Sequence, residues 1–148
     1  MRAILQRVTS GSVTVDNEVV ARIGLGYVIL LGIGPEDTPA IARELAEKTA
    51  YLRVFEDDAG KMNRSLLDEN GEAIVVSQFT LYADTSRGRR PSFINAAKPE
   101  LAEQLVEVFA ARLREFGIAT QQGIFGAHMV VDIRNDGPVT ILLELPQA

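Results

Sequence analysis

Residues 73–84, AIVVSQFTLYAD, constrain the fold more than any other stretch of this chain. The opening run, AIVV, is apolar and rich in β-branched residues, and it reads as a buried strand. Such a strand has to lie inside a sheet and be covered by other layers. Ser77, Gln78 and Thr80 follow at once, three hydrogen-bonding side chains where the buried run gives out. Groups in that position either cap neighbouring backbone or face a ligand. In a regular strand Gln78 and Thr80 share one face and Ser77 points away. If the chain instead leaves the sheet in a helical twist, Ser77 and Thr80 come together at i and i+3. The sequence leaves both arrangements open.

The remaining segments supply the layers. Residues 2–8 and 12–16 read as strands, with Ser10-Gly11 a turn or bulge between them. Residues 18–23 and 27–33 follow, and four short, closely linked strands predict an antiparallel meander. Gly32-Ile-Gly34-Pro35 fails as a phosphate loop, because Asp37 stands where a third glycine is needed and Pro35 removes a backbone donor. Thr38 is instead placed to cap a helix opening at Pro39 and running to about Arg53, with Ile41, Leu45 and Leu52 on its buried face. Residues 56–60 form an acidic turn, and 61–71 read as a polar loop. A second helix spans residues 99–116, with Leu101, Leu105, Val108, Phe109, Leu113 and Phe116 as its core stripe and Gly117 as its stop. Residues 122–125, 128–134 and 139–145 read as closing strands. The last is apolar on both faces at Ile141, Leu142 and Leu143, which calls for helices on one side and a second cover, such as another subunit, on the other. With 148 residues and no repeat or linker, the expectation is one α+β domain over residues 1–148.

Composition narrows the chemistry. There is no cysteine and one histidine, so thiol catalysis is excluded and no metal or cofactor is implied. His128 and Asp132 fall on one face of a strand, too little material for a Ser-His-Asp triad. Any catalysis would rest on positioning, backbone donors and a reactive group brought by the substrate. A net charge of −5 weighs against a general nucleic-acid binder, though not against an enzyme gripping one end of an RNA. Arg87, Arg89 and Arg90 make the one local basic cluster, in a loop that is either solvated or in contact with phosphate. The apolar runs are too short to span a bilayer, and Gln6 and Arg7 interrupt the start as a signal core, so a cytoplasmic location is expected.

A second polar stretch, NDGPVT at 135–140, sits between two strand-like segments and has the composition of a tight hairpin turn. Its Gly137-Pro138 bond is open to the cis form, which would turn the two carbonyls away from ladder pairing.

Together, SQFTL at 77–81 and NDGPVT at 135–140 resemble the D-aminoacyl-tRNA deacylase family (also described as D-tyrosyl-tRNA deacylase). The pieces QRVT at 6–9, SVTV at 12–15, GKMN at 60–63, RPSF at 90–93 and GIFGA at 123–127 fit the same family in order and spacing. The resemblance implies a homodimer of a mostly antiparallel, barrel-like α+β fold with two main helices, needing no cofactor and having no membrane or DNA partner. It implies hydrolysis of the ester that joins a D-amino acid, or glycine mischarged on tRNA-Ala, to the 3′ end of tRNA. By the same resemblance Ser77, Gln78 and Thr80 belong to the catalytic site, and Phe79, Phe125 and Met129 line the substrate pocket. Gly137 and Pro138 would enter the partner's pocket as a cis dipeptide whose carbonyls exclude an L side chain. Thr80 is the family's discussed nucleophile, with the terminal ribose hydroxyl of the tRNA as the alternative. No base for Thr80 is visible in the sequence, which favours the RNA-assisted route. Two other classes compete: a small-ester or peptide hydrolase using Thr80 directly, and a non-catalytic dimer that binds an RNA end or small ligand.

Overall fold

One long strand sets the architecture. β1 (Arg2–Val15) runs unbroken in the computed structural model, which describes residues 1–146, where the sequence predicts two strands. Ser10-Gly11 does not turn the chain. A Cβ on Gly11 would meet Val28 Cγ2 at 2.6 Å and the Asp132 carbonyl at 3.2 Å, so the missing side chain lets β1 continue while lying close against its neighbours. The first half of β1 pairs antiparallel with β3 (Gly26–Gly32) and its second half with β2 (Glu18–Ile23). β8 (Val130–Glu144) follows β1 along nearly its whole length.

The first strands are antiparallel as expected but do not form the meander: β2 and β3 each pair with the long β1 and, among the described residues, not with each other. β6 (Glu72–Ser77) and β7 (Thr120–Gln122) join β3 in parallel, giving the order β2-β1-β3-β6-β7 with β8 on β1. The reason lies in the crossover: helix α1 (Pro39–Tyr51) carries the chain back along the sheet before β6 begins, and a strand entered that way runs parallel. The curled sheet nearly closes. At the seam, the Gln121 side chain accepts from Arg22 N at 3.0 Å and donates to Arg22 O at 2.7 Å, so a carboxamide supplies the ladder pair that the two edge strands lack.

Alternation along β3 divides two cores. Tyr27, Ile29 and Leu31 face α1 and α2 (Pro99–Glu115), against Leu45, Leu105 and Phe109, while Val28 faces the interior of the curl with Val8, Val13 and Ile74. Because both faces are apolar, the AIVV run of β6 is buried on both sides, as its composition demands. Thr38 Oγ1 caps α1 by accepting from Ile41 N at 3.3 Å, and Gly117 ends α2 at φ +88°. The polar segment expected as a loop contains a hairpin, β4 (Arg53–Glu56) with β5 (Met62–Ser65). Its turn is tied by Asp57 Oδ1, which accepts from Ala59 N at 2.9 Å and Lys61 N at 3.0 Å. Among the described residues, no helix is long and apolar enough to cross a membrane.

Tyr27 is fully buried against Phe55, ring centroids 5.3 Å apart, and its hydroxyl has no hydrogen-bond partner among the described residues. Removing an unpaired buried hydroxyl recovers its desolvation cost, so Tyr27→Phe should raise stability by about 1 kcal/mol, read as a higher urea midpoint at unchanged slope. Burial also raises the Tyr27 ionisation above its usual range, opposed by the nearby Arg7 charge. The unfolded chain ionises from about pH 10 while the folded chain does not, so stability falls as pH rises past that point. That alkaline decline should be shallower in Tyr27→Phe.

Candidate active site

β6 carries the polar cluster to the edge of the helical layer. Ser77 is its last paired residue, opposite Leu31. Gln78 N still donates to Leu31 O at 2.8 Å, and the chain then leaves the sheet in a 3-10 turn over Phe79–Tyr82. Of the two arrangements left open by the sequence, the helical departure is therefore the one realised. It fits because Gly32 lies beneath it: a Cβ there would come within 3.0 Å of Leu81 Cβ and 3.1 Å of the Gln78 carbonyl. Arg2 fastens the far end, donating to Leu81 O at 2.8 Å with its guanidinium carbon 4.6 Å from the Tyr82 ring centroid.

A cavity of about 430 Å³ opens beside this turn, lined by Ser77, Phe79, Phe93, Ala102, Phe125 and Met129 among others. The predicted residues Ser77, Phe79, Phe125 and Met129 thus meet in one place. Phe93, which the sequence reading placed only in a motif, packs edge-on to Phe79 with centroids 4.9 Å apart. A hollow of about 500 Å³ lies on the other side of the turn, lined by Arg2, Glu36, Tyr82 and Asp84. It is wider, more open and more polar, so the apolar, better enclosed cavity is the better candidate for a ligand. Gln78 and Thr80 do not line that cavity. The Gln78 amide is hydrogen-bonded to Thr80 Oγ1. An amide N–H can only donate there, so this contact offers Thr80 no base. His128 is exposed and belongs to no hydrogen bond with Ser77 or Thr80 among the described residues.

Gly137 and Pro138 lie elsewhere. The hairpin expected at 135–138 is absent; the residues belong to β8 itself. β1 is long enough to pair on both sides of the stretch, so the ladder resumes after it. Between the Gln6–Thr140 and Val8–Asn135 pairs there is one residue of β1, Arg7, and four of β8, residues 136–139. Those four form a special bulge that projects residues 136–138 while Val139 stays buried. The Gly137-Pro138 peptide bond is cis, and both residues are exposed. β8 and β6 are separated by β1 and β3, about 14 Å across the sheet, so this segment and the cavity are remote within one chain.

Residues that the sequence reading placed in motifs without giving them a role hold the bulge in place. Arg7 is 5% exposed; it donates through Nε to the Asp136 carbonyl at 3.0 Å and through Nη1 to the Val54 carbonyl at 2.7 Å. At the neck, Asn135 Oδ1 accepts from Val139 N at 2.7 Å, and its amide donates to Gln6 Oε1 at 2.8 Å. Thr140 Oγ1 donates to the same Gln6 oxygen at 2.5 Å. A signal for Arg7 was present, since it continues the Ala3, Leu5 series of inward positions.

A near-closed mixed sheet with two helices on one face, and a polar strand end beside an enclosed cavity, define a single-domain α+β fold shared with known deacylases. The profile of the D-Tyr-tRNA(Tyr) deacylase family matches residues 4–144, and the chain belongs to that family. It is 65% identical over 144 residues to the D-aminoacyl-tRNA deacylase of Roseiflexus sp. (strain RS-1), covering 97% of this chain and 93% of the relative. It is 56% identical to that of Deinococcus deserti over 146 residues, covering 99% and 100%. Among solved structures, the c-Myc DNA Unwinding Element Binding Protein superposes with a TM-score of 0.92 at 44% identity, over 99% of this chain and 100% of that one. A probable eukaryotic D-amino acid tRNA deacylase shares the fold, with a TM-score of 0.82 at 18% identity over 96% and 97%.

Proposed function

We propose that this chain is a D-aminoacyl-tRNA deacylase that works as a homodimer, with each site assembled from two copies. Family membership supports the activity, and similar chains bear that name. The single observation behind the assembly is the separation of two half-sites. The cavity beside Ser77 and Phe79 and the extruded Gly137-Pro138 segment stand on different parts of the chain. Only a second copy can bring them together. The sheet face between them also lacks a cover: Leu142, paired opposite Ile4, is 57% exposed, and a large apolar side chain left open in a regular ladder suits a partner.

In this reading the cavity takes the aminoacyl group and terminal adenosine. N–H groups at the start of the 3-10 turn have no acceptor inside it and are available to the oxyanion formed on the ester. The partner's Gly137 and Pro138 carbonyls occupy the space an L side chain would need, so chirality is rejected by exclusion. Water attacks the ester with help from the terminal ribose hydroxyl of the tRNA, and glycine passes because it has no side chain to exclude.

The test is a matched pair of time courses on one tRNA carrying D-tyrosine or L-tyrosine, with EDTA in both. Loss of the D-ester alone is expected, and loss of both would sink the filter. Thr80→Ala should stay within about tenfold of the parent rate, because losing an activated nucleophile costs far more, on the order of 10³-fold or beyond. A dead Thr80→Ala with normal tRNA binding would restore Thr80 as the nucleophile.

A further inference from the structure

We infer that the arginine loop at residues 85–91 binds the backbone phosphates of the single-stranded RNA segment that leads into the cavity. This rests on the reading that the cavity receives the 3′ end of a tRNA. The loop is fastened at its base by an isolated antiparallel bridge, with Asp84 N donating to Ser92 O at 2.8 Å and Ser92 N to Asp84 O at 2.9 Å. Asp84 Oδ1 also accepts from Ser86 N at 2.9 Å and Ser86 Oγ at 2.6 Å. These two bonds commit the Asp84 carboxyl to Ser86 and hold it below its usual range.

The pinned base puts the loop at the cavity mouth. Phe93, next to Ser92, lines the cavity, and Arg90 is three residues away, a span of at most about 11 Å. Arg87, Arg89 and Arg90 are all exposed. Elsewhere Arg2, Arg7, Arg43, Arg64, Arg112 and Arg114 each lie against a carboxylate, whereas these three have no such partner among the described residues. Arg22, Arg53, Arg134 and the three lysines lack a carboxylate partner there too, but they are scattered along the chain, and Arg87, Arg89 and Arg90 are the one place where three such cations fall within four residues. Beside them Phe79, 55% exposed, and Phe93, 36% exposed, form an aromatic pair at the rim. Cations tracking a backbone next to aromatic faces on which bases stack is the arrangement that binds single-stranded nucleic acid.

The experiment compares the full-length parent with a variant carrying Arg87→Ala, Arg89→Ala and Arg90→Ala. A control of equal net charge carries Arg22→Ala, Arg134→Ala and Lys48→Ala. Binding of a fluorescein-labelled single-stranded RNA ending in CCA is followed by anisotropy against salt, and hydrolysis of D-tyrosyl-tRNA is measured in parallel. At about −0.7 per phosphate, three contacts give the parent a slope near −2, or roughly a fifteenfold loss of affinity over a fourfold rise in salt. The loop variant should lose most of that slope and raise KM for D-tyrosyl-tRNA at least tenfold at low salt, with kcat within twofold. The control should match the parent. Equal slopes in all three proteins, an equal loss in the control, or no RNA binding by the parent would overturn the loop assignment. Salt-dependent binding through the loop without hydrolysis would keep it and defeat the deacylase reading instead.

Discussion

Gly137→Ala is expected to lower kcat/KM for D-tyrosyl-tRNA by about a hundredfold, the scale of loss when a positioning element shifts by an ångström. The residue sits at φ +132°, in the region that L side chains rarely adopt. A Cβ there would lie 2.8 Å from Val139 Cγ2 and 3.0 Å from Arg7 Nη2. Val139 is buried and Arg7 is committed to two carbonyls, so neither neighbour can withdraw cheaply. The extruded segment has to move, by an amount the fold tolerates at a cost of about 1–3 kcal/mol. Gly60→Ala separates strain from function, because Gly60 is at φ +76° with nothing within 4 Å of its Cβ. It should lose comparable stability and keep its activity. Steady-state kinetics beside urea unfolding of both variants decides the matter. A Gly137→Ala enzyme within twofold of its parent would remove residues 137 and 138 from the proposed mechanism.

Helices and the buried central strand were legible because their signals are local. The stripe through Leu105, Phe109 and Leu113 and the cap at Thr38 depend on residues a few positions apart. What failed depends on distant pairing. Whether Ser10-Gly11 turns or runs straight is decided by Val28 and Asp132, which lie across the sheet. NDGP has the composition of a hairpin turn, yet β1 continues past it and recaptures the chain at Thr140. Ser77 through Thr80 announced a polar strand end, but its helical departure needs the space above Gly32, more than forty positions earlier. Of the cavity half, the residues themselves announced only the polar strand end at Ser77, while Phe79, Phe125 and Met129 came from the family resemblance. The support beneath Gly137 was not legible, since an arginine at an inward strand position is meaningful only once its two carbonyl acceptors are known.

Arg7→Met should be the most destabilising single change at this support, by about 3 kcal/mol. Methionine refills most of the volume, so the loss comes from hydrogen bonding. The Val54 carbonyl loses its donor in a buried setting, which costs roughly 1–3 kcal/mol, and the part-buried Asp136 carbonyl, which water can reach, adds less. The Glu56 contact contributes little to that sum. It spans 3.6 Å to a carboxylate side chain that is 54% exposed, where ion pairs are worth about 0–1 kcal/mol. Glu56→Gln should therefore leave the urea midpoint almost unmoved. Arg7→Lys should recover only part of the loss, because one ammonium on a flexible stem cannot hold both carbonyls in the geometry of a guanidinium fork. If Arg7 serves the proposed site as well as the fold, all three variants assayed well below their unfolding midpoints will separate the roles. Arg7→Met should then hydrolyse the L-tyrosyl ester faster relative to the D-ester than the parent does, because a loosened segment excludes the L side chain less well. An unchanged D-to-L ratio in a destabilised Arg7→Met enzyme would make Arg7 a fold anchor and nothing more.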